Sequence, residues 1–135
     1  MEDLYITLLQ ANLVWESPSR NLENFNYKIN QIKNIPDLIV LPEMFNSGFT
    51  MNVQKCAESM KGESVKWLQK KTKDLNCVIA GSLLIKENRK YFNRLIWMHP
   101  DSSYETYDKR HLFRMSNEHK TMSQGNERKI VDIKG

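Results

Sequence analysis

Four consecutive apolar residues, Leu38-Ile39-Val40-Leu41, stand between Pro36 and Pro42 with no polar residue among them. A strand with one wet face alternates apolar and polar positions. A continuous run bounded by prolines reads instead as a short strand buried on both faces. A sheet of that kind needs layers packed against it, which points to an α/β fold.

The segments on either side agree. Residues 4–10 carry enough β-branched and apolar residues for a strand. Ser17-Pro18 opens a helix, because proline is accepted in the first turn. Leu22, Phe25, Ile29 and Ile32 follow at helical spacing and form one apolar face. Asn34-Ile35-Pro36 ends that helix, since the residue before proline is pushed out of the α region. Beyond the buried strand, residues 44–60 read as a loop around Gly48. A second helix is expected from Glu63 to Leu75, with Val65, Leu68, Thr72 and Leu75 on one side. Strands are then predicted over 77–85, 91–99 and 104–109, with Asn88-Arg89 marking a hairpin. Residues 111–126 lack periodicity and read as a long loop, and a last strand is expected over 129–133. The order β-α-β, loop, α, then strands in series fits a mixed sheet with helices on one face, within one domain over residues 1–135.

Composition narrows the function classes. With 40% hydrophobic and 27% charged residues, the chain is an ordinary globular sequence rather than a disordered or disulfide-built one. Glu2 and Asp3 occupy the place where a signal peptide would be basic, and the longest near-apolar run, 77–85, is too short for a bilayer. A cytoplasmic protein without membrane contact is the expectation. Two cysteines in such a chain do not make a structural disulfide. Cys77, inside an apolar run, reads as a buried core thiol, and Cys56, after Lys55, as an exposed and idle one. The formal charge of +4 raises nucleic acid as a partner. The lysines between Lys61 and Lys73, however, fall on the second helix, where they form its solvated face. No nucleic-acid partner is expected.

Three charged residues are candidates for chemistry. Glu43 lies just past the carboxyl end of the buried strand, where open α/β sheets place their sites. Partial desolvation there suits a general base; a glutamate capping the next turn in water fits the position too. Lys109 closes a strand between aromatic and apolar neighbours. A fixed ammonium there is suited to an oxyanion, and a lysine guarding an edge strand is the plainer account. Glu118 stands beside His119 in the following loop, as a functional or simply solvated side chain. His99, His111 and His119 lack the spacing of a metal site. No phosphate-binding glycine loop or nucleophile-elbow serine is present.

Taken together, several segments resemble the nitrilase superfamily of carbon–nitrogen hydrolases. They are Ile-Thr-Leu-Leu-Gln at 6–10, Leu-Ile-Val-Leu-Pro-Glu-Met-Phe at 38–45, Ser47-Gly48-Phe49, Ile-Ala-Gly-Ser at 79–82 and Asn93-Arg94. Tyr-Asp-Lys-Arg-His-Leu-Phe-Arg-Met at 107–115, with Glu118 and Gly125 in step, is similar to the bacterial omega-amidase branch. The segments run in order over essentially the whole chain. The resemblance implies Glu43 as general base, Lys109 as the oxyanion's cation and Glu118 as a second glutamate positioning substrate and lysine. It also implies Phe45 and Phe49 as pocket wall. No cofactor and no metal are implied. The substrate class implied is the terminal amide of a small 2-oxo acid such as 2-oxoglutaramate, cleaved through a cysteine thioester, with a homodimer expected for the complete enzyme.

The same resemblance implies an α-β-β-α sandwich of which these residues are the N-terminal half, with the nucleophilic cysteine expected beyond Gly135. Cys56 and Cys77 both precede Lys109 and match neither its position nor its context. The isolated 135 residues are therefore expected to be inactive and marginally folded. A truncated, non-catalytic family member acting as an interaction module is the alternative reading.

Overall fold

The computed structural model describes residues 3–135. Five strands form one mixed sheet in the order β1-β2-β3-β4-β5: Ile6–Leu8, Leu38–Val40, Val78–Glu87, Lys90–Met98 and Tyr104–Asp108. The first three run parallel, with Leu38 opposite Ile6 on one side and Val78 on the other. The last three are antiparallel neighbours. The apolar run 38–41 thus supplies an inner strand buried on both faces, as its composition requires, with Ile39 in one apolar cluster and Leu38 in another.

Two long helices cover one face. Helix α1 spans Pro18–Asn30 and buries Phe25 and Ile29; helix α3 spans Glu63–Leu75 and buries Val65 and Leu68. Asn76 in the left-handed conformation (φ 52°) ends α3. Phe25, Ile29 and Leu68 pack with Ile79, Leu83, Ile85, Ile96 and Met98 from β3 and β4 into the main core. Burial of each large side chain there stabilises by about 1.5–3 kcal/mol. Trp67 bridges the helices through an Nε1–H bond to Oδ1 of Asn26, 2.9 Å away. The lysines of α3 face outward: Lys66 pairs with Glu63 and Lys70 with Asp74 at helical spacing.

β3 and β4 are joined by Asn88 and Arg89, both at positive φ (48° and 64°), as a two-residue hairpin turn demands. The pleat sends alternate residues of β3, β4 and β5 to the opposite face, where Val78, Ala80 and Trp97 cluster with Leu38. Val131 and Ile133 rest on that cluster. Next along this face come Ser82, Asn93 and Tyr107, and a second cluster of Met44, Val53, Cys56, Leu84 and Met122.

Three expectations need correction. Residues 129–133 have strand-forming side chains but form no strand, because no described strand lies beside them to complete a ladder. The segment 111–126 is not a plain loop: it holds a 3-10 turn at Arg114–Ser116 and a one-turn helix, α4, at Glu118–Thr121. Cys56 is buried rather than exposed, because the one-turn helix α2 (Val53–Cys56) turns it into the second cluster. Cys77 is buried in the main core as expected. Among the described residues, no helix is long and apolar enough to cross a membrane.

Candidate active site

Past Val40, the chain must turn off the end of β2. The amide of Leu41 bonds to the Ala80 carbonyl, and two contacts from Ser82 then hold the turn. Its hydroxyl accepts from the Met44 amide at 2.8 Å, and its carbonyl accepts from the Phe45 amide at 3.1 Å. Met44 sits at φ 47°, a left-handed conformation that costs a side-chain-bearing residue about 1–2 kcal/mol. That turn separates its neighbours. Glu43 projects over the face opposite α1 and α3, while Phe45 enters the core beneath those two helices.

Lys109 follows β5, its amide bonded to the Asn93 carbonyl and its carbonyl to the Gly125 amide. Gly125 lies so close to the Asp108 backbone that a β-carbon has no room. Below, Arg94 is buried and grips Asp108 and Glu87 with charge-assisted bonds, which fixes the end of β5 against the hairpin.

Glu43, Asn93, Lys109 and Glu118 converge here. Nζ of Lys109 is 2.9 Å from Oε1 of Glu43 and 3.0 Å from Oε2 of Glu118. Nδ2 of Asn93 donates to Oε1 of Glu43 at 2.6 Å and to Oε1 of Glu118 at 3.1 Å. Glu118 is fully buried, and its Oε2 also accepts from the Phe113 amide at 2.6 Å. Glu43 keeps 49% of its side chain exposed, whereas Lys109 keeps 26%. Burial works to strip the lysine's proton, but bonds and charge from Glu43 and Glu118 outweigh it and hold the ammonium above the ordinary lysine range. The arrangement offers a fixed cation, an accessible carboxylate beside it, and a buried carboxylate that anchors both the cation and the next segment of chain.

Two adjoining cavities share Glu43 and Lys109. The inner one, about 230 Å³, lies on the sheet face between Leu41, Ser82, Asn93 and Tyr107. The outer one, about 810 Å³, is bordered by Phe49, His111, Phe113 and Arg114. The Phe49 ring lies 5.0 Å from the Lys109 ammonium, close enough for a cation–π contact, and 6.4 Å from the Phe113 ring. Phe49 therefore borders the cleft. Phe45 does not: it is fully buried against Phe25 and Trp67, at 5.8 and 5.9 Å between ring centroids, and is a core residue.

Asn93 is the site residue that residue-by-residue reading did not single out. Its signal was a polar side chain inside a strand, at a position in register with Leu84 on the face opposite α1 and α3. Neither cysteine lines either of these two cavities. Burial, ahead of the charge of Glu16, pushes the Cys56 thiol up, and burial followed by Asp37 pushes Cys77 to about 11. Among the described residues no group of three or more His, Cys, Asp or Glu side chains is placed to hold a metal.

The family model for carbon-nitrogen hydrolase matches residues 5–135. The chain is 41% identical over 136 residues to the omega-amidase YafV of Escherichia coli K12, covering 100% of this chain and 52% of that protein. It is 26% identical over 133 residues to the 2-oxoglutaramate amidase of Bacillus subtilis 168, covering 96% and 51%. The crystal structure of XC1258 from Xanthomonas campestris, a CN-hydrolase superfamily protein with an arsenic adduct in its active site, superposes with a TM-score of 0.95. Sequence identity to it is 39%, over 100% of this chain and 51% of that one. The chain thus spans about half the length of the relatives it matches.

Proposed function

This chain belongs to the carbon–nitrogen hydrolase family, and on that premise we propose that the protein hydrolyses the terminal amide of a small 2-oxo acid, 2-oxoglutaramate or a close analogue, to the acid and ammonia. What carries the reading is the convergence of Glu43, Asn93, Lys109 and Glu118, from four separate segments, at the floor of one cleft. The relatives named omega-amidase and 2-oxoglutaramate amidase supply the substrate class.

In this reading the nucleophile is a cysteine other than Cys56 and Cys77, contributed from beyond Gly135. Both cysteines of this sequence are buried in apolar clusters with thiols held in the protonated form. Glu43 takes the proton of the attacking thiol. Its Oε1 is occupied by Asn93 and Lys109, and among the described residues Oε2 has no partner, which leaves that oxygen to accept the proton. Sulfur bonds to the amide carbon, and negative charge develops on the carbonyl oxygen beside the Lys109 ammonium. Collapse breaks the C–N bond as Glu43 returns the proton to the departing ammonia. The same carboxylate then deprotonates water, which attacks the thioester; the acid leaves and the thiol is restored. Glu118 touches no reacting atom here and serves as a positioning residue for Lys109.

Mixing the full-length enzyme with 2-oxoglutaramate and quenching in acid tests this. Ammonia should appear together with an acyl adduct on a cysteine outside this sequence. No ammonia from any ω-amide, or an adduct on Cys56 or Cys77, overturns the proposal. The 135-residue chain alone should release none.

A further inference from the structure

We propose that Arg114 is the specificity-determining residue that binds the substrate's carboxylate at the outer end of the cleft, so that the site selects anionic amides. The inference rests on the amidase reading above and deepens it.

The floor of the cleft carries two carboxylates, Glu43 and Glu118, against one ammonium, Lys109. Passing the thiol proton to Glu43 only moves a negative charge from the carboxylate to sulfur, so the floor stays net negative. A substrate bearing its own carboxylate is repelled by that floor unless a second cation meets its far end. Lys109 cannot serve both ends, because its Nζ is already bonded to both glutamates.

Among the described residues that border the outer cavity, Arg114 alone joins Lys109 in carrying a positive charge at every working pH. Its side chain is exposed and forms no hydrogen bond or ion pair with any described residue, unlike that of Arg94, which is buried and paired twice. Its backbone is nevertheless fixed. The Phe113 amide is held by Oε2 of Glu118, the Ser116 hydroxyl donates to the Phe113 carbonyl at 2.9 Å, and the Asn117 amide donates to the Arg114 carbonyl at 3.0 Å. Glu118 thus ties together the two cations of the cleft, one through its ammonium and one through its supporting turn. A guanidinium at that place offers the planar two-pronged donor that a carboxylate accepts best.

The test compares full-length wild type, Arg114→Ala and Arg114→Lys on two substrates: 2-oxoglutaramate and a neutral straight-chain amide of equal length. Losing one charge-assisted contact should raise KM for the anionic amide about 10–100-fold with little change in kcat. The neutral amide should lose far less, and lysine should restore part of the loss. Equal losses on both substrates, or no change in KM for the anion, overturn the inference. Absence of turnover of 2-oxoglutaramate by wild type is a different failure: it removes the amidase reading itself.

Discussion

Nζ of Lys109 lies 2.9 Å from Oε1 of Glu43, although 66 positions separate the two in sequence. Asn93 binds that same oxygen, so one half of the carboxylate is anchored twice and the other half faces the cleft. A base held this way keeps its orientation while retaining a free lone pair for a proton.

Replacing that carboxylate without changing its shape should remove the base and keep the scaffold. In the full-length enzyme, Glu43→Gln is expected to lower kcat by about 10²–10⁴-fold. Lys109→Ala should cost about 10²–10³-fold, the scale of losing one oxyanion donor. Ammonia release at saturating amide measures both. Near-normal turnover in either variant would remove that residue from the mechanism.

Glu118 is fully buried and meets Lys109, Asn93 and the Phe113 amide at once. Glu118→Gln turns one acceptor oxygen into a donor facing other donors. A stability loss of about 1–3 kcal/mol in urea unfolding is expected, together with a fall in kcat as Lys109 loosens. An unchanged midpoint would mean that the buried carboxylate is dispensable to both.

The raised pKa of Lys109 predicts an alkaline effect. Its folded-state value lies above the unfolded value of about 10.4, so the stabilisation is complete below that pH and is lost as pH rises through the folded value. From about pH 10 upward, the melting temperature of wild type should therefore fall more steeply than that of Lys109→Met. Parallel curves would show that the ammonium gains nothing from its two partners.

On the other face of the sheet, a β-carbon added at Gly81 would stand 2.8 Å from the Phe45 ring and 2.9 Å from the Leu41 β-carbon. Gly81→Ala should destabilise by about 1–3 kcal/mol through overpacking. Turnover per folded molecule should stay close to wild type. A stability equal to wild type would mean that Phe45 has room to move, contrary to its tight placement.

Reading by residue pattern went furthest where a local rule was sufficient. The unbroken apolar run fixed β2 and with it the place of Glu43, and Asn88-Arg89 fixed the hairpin. It failed where partners distant in sequence decide. Lys129 to Ile133 have strand propensity, but a strand exists only beside another. Asn93 entered only as part of a family-like segment, because no local rule tells a solvent face from a face that holds two glutamates. Cys56 looked exposed because a single helical turn leaves no periodicity to read. Phe45 was placed in the pocket wall on the strength of the family resemblance, and the left-handed Met44 parts it from Glu43.

That left-handed residue also bears on how the chain can vary in length. Glu43 and Phe45 are assigned to opposite sides of the sheet by one backbone angle, with Ser82 clipping the two peptides that follow Glu43. Adding or deleting one amino acid between Leu41 and Phe45 would slide a carboxylate toward the aromatic core and an aromatic ring toward the cleft. Point changes in this stretch can be graded in effect; a frame-preserving indel of one codon cannot.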